Sequence, residues 1–249
     1  MTLDLPGDPV HEPRLKVRGL AKTFVLHNQG GVRLPVFAGV DLDVAGGECV
    51  VLAGPSGCGK STLMRCLYGN YSPSAGTVRV RHGSDWLELD SAPPRAVIEL
   101  RRRGLGHVSQ FLRVIPRVPT IDLVSEPLRR LGVAADEART RASAMLERLN
   151  LPQRLWSLPP ATFSGGEQQR VNVARGFIAA RGVLLLDEPT ASLDPVNRRV
   201  VIELIDEARR GGAALVGIFH DAEVREAVAT RAFDMSAHAA THTTEAVAA

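Results

Sequence analysis

The sequence predicts an α/β fold with a parallel sheet at its centre, and three observations carry that expectation. Residues 49–53, 183–186 and 215–219 are short, almost wholly apolar runs, the composition of strands buried on both faces. Between them, apolar residues recur at spacings of three and four, the period of a helix with one buried face. Residues 54–61 form a glycine-rich loop directly after the first apolar run and directly before a segment carrying Leu63, Met64 and Leu67. Strands alternating with helices pair in parallel, and the helices cover the sheet.

Along the chain, residues 1–13 carry Pro6, Pro9, Pro13, Asp4, Asp8 and Glu12 with no basic cluster, and read as a flexible segment without a secretory signal. Asp41, Leu42, Asp43 and Val44 alternate polar with apolar. So do Thr77, Val78, Arg79, Val80 and Arg81, ahead of a turn at His82, Gly83, Ser84 and Asp85; both are half-buried strands. Residues from about 111 to 165 have helical spacing and little strand character, which predicts a helical insert. Ala138, Ala142, Met145 and Leu149 share one helix face there, and Val171, Ala174 and Ile178 share another further on. One domain is expected over 14–231, followed by a flexible tail, 232–249, rich in Ala, Thr and His.

Composition narrows the classes. The chain has 249 residues, 45% hydrophobic and 23% charged, enough apolar material for a sizeable core. A net charge of +3 without strong clustering gives no reason to expect a nucleic-acid partner. The run Arg101, Arg102, Arg103 could meet phosphates, but such a run is more often a solvated face. No window approaches 18 apolar residues, so no span of a bilayer is expected. Cys49, Cys58 and Cys66 lack metal-ligand spacing and read as free thiols in a reducing cytoplasm.

Gly54, Pro55, Ser56, Gly57, Cys58, Gly59, Lys60 and Ser61 match G-x-x-x-x-G-K-[ST] in a strand–loop–helix setting. Glycines let successive backbone N–H groups turn inward toward phosphate oxygens, and the helix that follows adds its positive end. Lys60 reaches the β- and γ-phosphates, and Ser61 offers a hydroxyl to Mg²⁺.

The apolar run at 183–186 ends in Asp187 and Glu188. Asp187 is expected to hold Mg²⁺ through water. Glu188, free of the metal, is expected to orient or deprotonate the water that attacks the γ-phosphate. A solvated acidic turn is the plainer alternative for this pair.

Phe163, Ser164, Gly165, Gly166, Glu167, Gln168 and Gln169 open a helix. Ser164 and Glu167 stand at the spacing of a capping box. Gly165 and Gly166 weaken a first turn, which is understandable where a ligand approaches the backbone closely, so this helix start is a second anion site. Two phosphate sites in one chain suggest that two chains share each nucleotide.

Taken together with Ala191, Ser192, Leu193, Asp194 and His220, these motifs resemble the ATP-binding-cassette ATPases over roughly residues 15–231. The resemblance implies a P-loop nucleotide-binding domain with an antiparallel β subdomain and a helical insert, closing head-to-tail with a second cassette, itself or a paralogue. It implies ATP and Mg²⁺ as cofactors, with Phe24 stacking on adenine and Thr62 joining the loop residues on the phosphates. Ser164, Gly165, Gly166, Glu167 and Asp194 then meet the nucleotide across the dimer, Gln110 senses Mg²⁺ and the γ-phosphate, and His220 contacts the γ-phosphate. Taken singly, Phe24 could be core, Gln110 surface, and His220 a capping or buried residue. Phe163 and Glu167 stand where Leu and Gln are commoner in that family, and Glu167 adds a negative charge near phosphates unless the helix cap uses it.

A narrower resemblance covers residues 109–117, 154–156, 162–178 and 217–221. They look like the PhnL-type cassette of the carbon–phosphorus lyase system for phosphonate degradation. That implies soluble partners of the pathway and support of its ribose-triphosphate phosphonate step, although no residue forms a phosphonate site. The competing expectation is a membrane transporter of lipoprotein-release or macrolide-export type. An apolar surface at Phe111, Leu112, Val114 and Ile115, flanked by Arg113 and Arg117, suits docking to either kind of partner.

Overall fold

The computed structural model describes residues 12–26, 30–112 and 116–240. Two sheets form. Strands β1 (Pro13–Leu26), β2 (Val32–Ala45), β4 (Ala75–His82) and β5 (Asp85–Glu88) make an antiparallel sheet in the order β2-β1-β4-β5. Strands β3 (Cys49–Ala53), β6 (Leu105–Val108), β7 (Val183–Asp187), β8 (Ala214–Ile218) and β9 (Arg231–Asp234) make a parallel sheet in the order β6-β7-β8-β3-β9.

The parallel sheet divides the interior into two cores, and its strands supply both in alternation. Val50 and Leu52 of β3, with Val183 and Leu185 of β7, face a core shared with β1, β2, β4 and helix α1 (Lys60–Leu67). Cys49 and Val51, with Leu184 and Leu186, face the opposite core. That core is filled by helices α3 (Thr120–Arg130), α4 (Ala135–Arg148), α5 (Gly165–Phe177) and α6 (Pro195–Arg210). Burial on two faces is why these strands are apolar at every position up to the Asp187 that closes β7.

Helix α2 (Pro94–Arg103) ends in the basic run, which is not simply solvated. Arg101 donates twice to the Tyr68 carbonyl, at 3.1 and 2.9 Å. Arg102 donates to the Arg130 carbonyl at 2.6 Å, and Arg103 pairs with Glu99. Cys49, Cys58 and Cys66 are buried free thiols, and burial pushes Cys49 up to about 12 and Cys66 up to about 11.

The boundary expected at 231 falls inside the sheet. β9 pairs with β3 from Val50↔Arg231 to Ala53↔Asp234, Met235 is fully buried, and a 3-10 turn follows at Ser236–His238. Helix α7 (Ala222–Val228) leads into this strand. Among the described residues, no helix is long and apolar enough to cross a membrane.

Candidate functional site

The carboxyl ends of β3, β6, β7 and β8 open onto one edge of the parallel sheet, the place where open α/β sheets meet their ligands. The phosphate loop runs from the end of β3 into α1. Gly54 has φ +130°, and a Cβ there would stand 2.8 Å from Cys58 Sγ, so the turn excludes a side chain. Gly59 is the N-cap of α1 with a left-handed backbone and no side-chain cap, which leaves the first-turn N–H groups for an anion. Lys60 spans the loop, donating through Nζ to the carbonyls of Gly54 at 2.7 Å and Pro55 at 2.8 Å. Ser61 is exposed beside it, and Thr62 is half-buried.

Two strands along, Asp187 closes β7, and it is 7% exposed. Its Oδ1 is buried without a hydrogen-bond partner. Burial first, then the neighbouring Glu188 charge, raises its pKa above the usual carboxylate range. An orphaned buried carboxylate oxygen at this edge fits a hydrated divalent cation. Among the described residues no group of three or more His, Cys, Asp or Glu forms a metal cage.

Glu188 adopts φ +53°, left-handed for a non-glycine residue, while its N–H donates to the Ile218 carbonyl at 3.0 Å. The turned backbone places its carboxylate between two side chains from neighbouring strand ends. Nε2 of His220 lies 2.7 Å from Oε1, and Gln110 Nε2 donates to Oε2 at 3.4 Å. His220 itself is exposed. Capping of α7 falls to Asp221, which accepts from the N–H groups of Glu223 and Val224.

Two buried polar residues of α5 hold this edge from behind. Gln169 donates to the carbonyls of Glu188 at 3.2 Å and Pro189 at 3.0 Å. Asn172 donates to the Ser109 carbonyl at 2.5 Å. One helix face thus fixes the β7 end and the β6 end, and with it the approach of Gln110. These roles were not assigned from the sequence. The available signal is a pair of amides at i, i+3 on a helix face otherwise made of Val171 and Ala174.

The helix start expected to be a second anion site is built as a full capping box. Ser164 Oγ accepts from the Glu167 N–H, and the Glu167 carboxylate accepts from the Ser164 N–H at 2.8 Å and the Ser164 hydroxyl at 2.7 Å. Those bonds to Ser164 hold the Glu167 carboxyl below its usual range. Gly166 faces its own chain. A Cβ there would lie 2.8 Å from the Ser192 carbonyl oxygen, whereas at Gly165 the nearest atom is Ser192 Oγ at 3.9 Å. So intramolecular packing accounts for the second glycine, and only Gly165 remains open to an approaching ligand.

Asp194 is the N-cap of α6, accepting from the Asn197 N–H and side-chain amide, both at 2.8 Å. Phe24, on β1, meets Tyr71 edge-on at 5.3 Å, with Lys22 Nζ 4.9 Å from its ring centroid. Among the described residues, no hydrogen bond or ion pair joins Ser164, Glu167 or Asp194 to the phosphate loop.

A family model described as ABC transporter matches residues 37–191. The chain belongs to the ABC transporter family. It is an ABC-type ATPase, a P-loop ATP hydrolase with the mixed α/β cassette fold. The lipoprotein-releasing system ATP-binding protein of Maricaulis maris is 40% identical over 84% of this cassette and 89% of its own length. A macrolide export ATP-binding/permease protein of Aeromonas hydrophila is 36% identical over 87% of this cassette but 32% of its own length. The cassette spans about three-fifths of an uncharacterized ABC transporter ATP-binding protein of Mycobacterium tuberculosis, matching 59% of it at 36% identity. A solved dimeric ATP-binding cassette in a post-hydrolysis state with ADP and Pi superposes with a TM-score of 0.79 at 27% identity, over 88% of this chain and 93% of that one.

The surface expected to dock a partner is altered in one respect. Phe111 is 75% exposed, but Leu112 is buried in the helical core. Arg117 is exposed, while Arg113, Val114 and Ile115 lie outside the described residues.

Proposed function

We propose that this cassette hydrolyses Mg-ATP between two copies, or between itself and a paralogue, and that hydrolysis drives a membrane transporter of the lipoprotein-release or macrolide-export kind. The observation that carries the hydrolytic part is Glu188, turned by its left-handed backbone toward the ligand edge and held by His220 and Gln110. In this reading Glu188 accepts the proton of the attacking water, and His220 and Gln110 keep its carboxylate aimed. Lys60, the loop N–H groups and Thr62 hold the phosphates, with Phe24 under the base. Ser61, Gln110 and Asp187 provide oxygens for a hydrated magnesium ion, which supplies charge neutralisation on the phosphates when bound. The start of α5, open at Gly165, and Asp194 meet the nucleotide of the opposite cassette. The neighbour with ADP and Pi is itself dimeric, which supports that arrangement.

The transport task rests on the relatives, a lipoprotein-releasing system ATP-binding protein and a macrolide export ATP-binding/permease protein. Neither these relatives nor any residue of the site favours soluble carbon–phosphorus lyase partners, so the phosphonate expectation gives way to transport. A seat for a permease segment is available in a cavity of about 340 Å³ between α2, β6, α3 and α5. Arg175 and Arg181 line it, Glu126 pairs with Arg130 and Arg175, and Arg181 makes no ion pair among the described residues. Such a cavity suits an acidic segment, and β6 connects it to Gln110. The cassette then works on the cytoplasmic face of a membrane.

Affinity purification in mild detergent, with mass spectrometry of what accompanies the chain, tests this. Integral membrane subunits are expected. Soluble phosphonate-pathway enzymes in their place overturn the transport assignment and leave the ATPase standing.

A further inference from the structure

The end of the described chain closes on the phosphate loop from behind. β9 runs parallel to β3 to the last pair, Ala53↔Asp234, one residue before Gly54. Met235 N–H then donates to the Ala53 carbonyl at 3.0 Å, and the Met235 side chain is fully buried in the core that holds Leu52, Cys58, Leu63 and Phe37. The Asp234 carboxylate accepts from the Ser236 N–H at 2.8 Å and fixes the turn. That turn presses Ser236 against the start of the loop. A Cβ on Gly54 would lie 3.2 Å from Ser236 Oγ and 3.5 Å from its nitrogen.

The same segment reaches the other end of the loop through β2. Ala240 N–H donates to the Val36 carbonyl at 3.1 Å, Ala239 bridges Phe37, and His238 Nδ1 lies 3.3 Å from the Ala38 carbonyl. Val36 and Phe37 are the residues that crowd Gly59, each with a carbon 3.1 Å from where its Cβ would stand. So six residues back both glycines at which the loop leaves β3 and enters α1.

From these contacts we infer that residues 235–240 are a positioning element for the phosphate loop, setting its curvature and so the affinity for the triphosphate. The inference rests on the reading that this loop holds the nucleotide phosphates. A loop that must present several N–H groups to one anion loses affinity when its ends drift, because each hydrogen bond depends on orientation. The loss falls on ground state and transition state alike, so it enters KM rather than kcat.

The test uses the full chain with two substitutions away from the nucleotide. Asp234→Ala removes the acceptor that fixes the turn, and Ala240→Pro removes the N–H that bonds Val36. Each is expected to raise KM for ATP about five- to tenfold with kcat within about twofold of the parent. Asp234→Asn, which keeps an acceptor oxygen, is expected to restore the parental KM. A merely structural segment would instead lower the melting temperature and leave KM of the folded enzyme unchanged; that result overturns the proposal. Absence of ATP binding in the parent protein overturns the loop reading and the brace with it. Equal affinity in parent and variants overturns the brace alone.

Discussion

Glu188 and His220 come from the ends of adjacent parallel strands, β7 and β8, and meet at 2.7 Å between Oε1 and Nε2. The contact depends on the left-handed turn at Glu188, which departs from the direction of β7 while its N–H still bonds to Ile218. Backbone strain of this kind costs about 1–3 kcal/mol and persists where neighbours enforce it. Gln169 and the β8 ladder are those neighbours. The site is therefore pre-set by α5 and the sheet.

Asp187 carries a penalty in the nucleotide-free protein. Its pKa is raised by burial, so its favourable contribution belongs to the protonated form, present below the unfolded value near 3.9 and lost as pH rises through the higher folded value. At neutral pH the ionised group is a cost. Asp187→Asn is expected to raise the melting temperature at pH 7 by about 2 °C or more, the shift that ~1 kcal/mol gives in a chain of this size. Mg²⁺-dependent turnover should fall in the same variant. Differential scanning fluorimetry beside an ATPase assay checks both, and an unchanged or lower melting temperature counts against this account of Asp187.

The two glycines of the α5 start separate by their surroundings. Gly166→Ala forces a Cβ to within 2.8 Å of the Ser192 carbonyl and should destabilise the fold by about 1–3 kcal/mol. Gly165→Ala meets nothing closer than 3.9 Å, so stability should hold or rise slightly. Turnover of Gly165→Ala should nonetheless drop about tenfold or more if, as proposed, that position meets the nucleotide of the opposite cassette; tenfold corresponds to about 1.4 kcal/mol. Full activity in a stable Gly165→Ala protein contradicts a nucleotide contact there.

Glu167 gives the capping box a pH signature. Its pKa is lowered by the hydrogen bonds from Ser164, so its stabilisation is present above the unfolded value near 4.3 and lost as pH falls through the folded value. Glu167→Gln keeps an acceptor but does not titrate. Melting curves between pH 3 and 6 should show the parent losing this increment on acidification and the variant not. Parallel profiles would mean the carboxylate does not act through the cap.

The parts of this molecule legible in the sequence are those whose burial is symmetric or whose motif is local. The run at 49–53 coincides with β3 because both cores are fed by its alternate residues. β9 escaped notice for the opposite reason: Arg231, Ala232 and Asp234 are exposed on an edge strand, so no apolar pattern marks it. Reading the tail as flexible from 232 failed on that strand. The capping box was legible because Ser164 and Glu167 interact at a fixed spacing. Gln169 and Asn172 were not, since their partners, Glu188 and Ser109, lie far away in the chain. The glycine pair shows the same limit: close approach of a ligand was the expectation at both, but at Gly166 the approaching group is Ser192 of the same chain, far off in sequence.

The solution mass of Glu188→Gln with Mg-ATP, measured alongside its steady-state turnover, tests whether Glu188 serves as the base within a nucleotide-bridged pair of cassettes. The expected result is a species of twice the 26.8 kDa chain, with turnover lowered about 10²- to 10⁴-fold and ATP still bound. A variant that binds ATP yet stays at 26.8 kDa, or turns over at the parental rate, contradicts it.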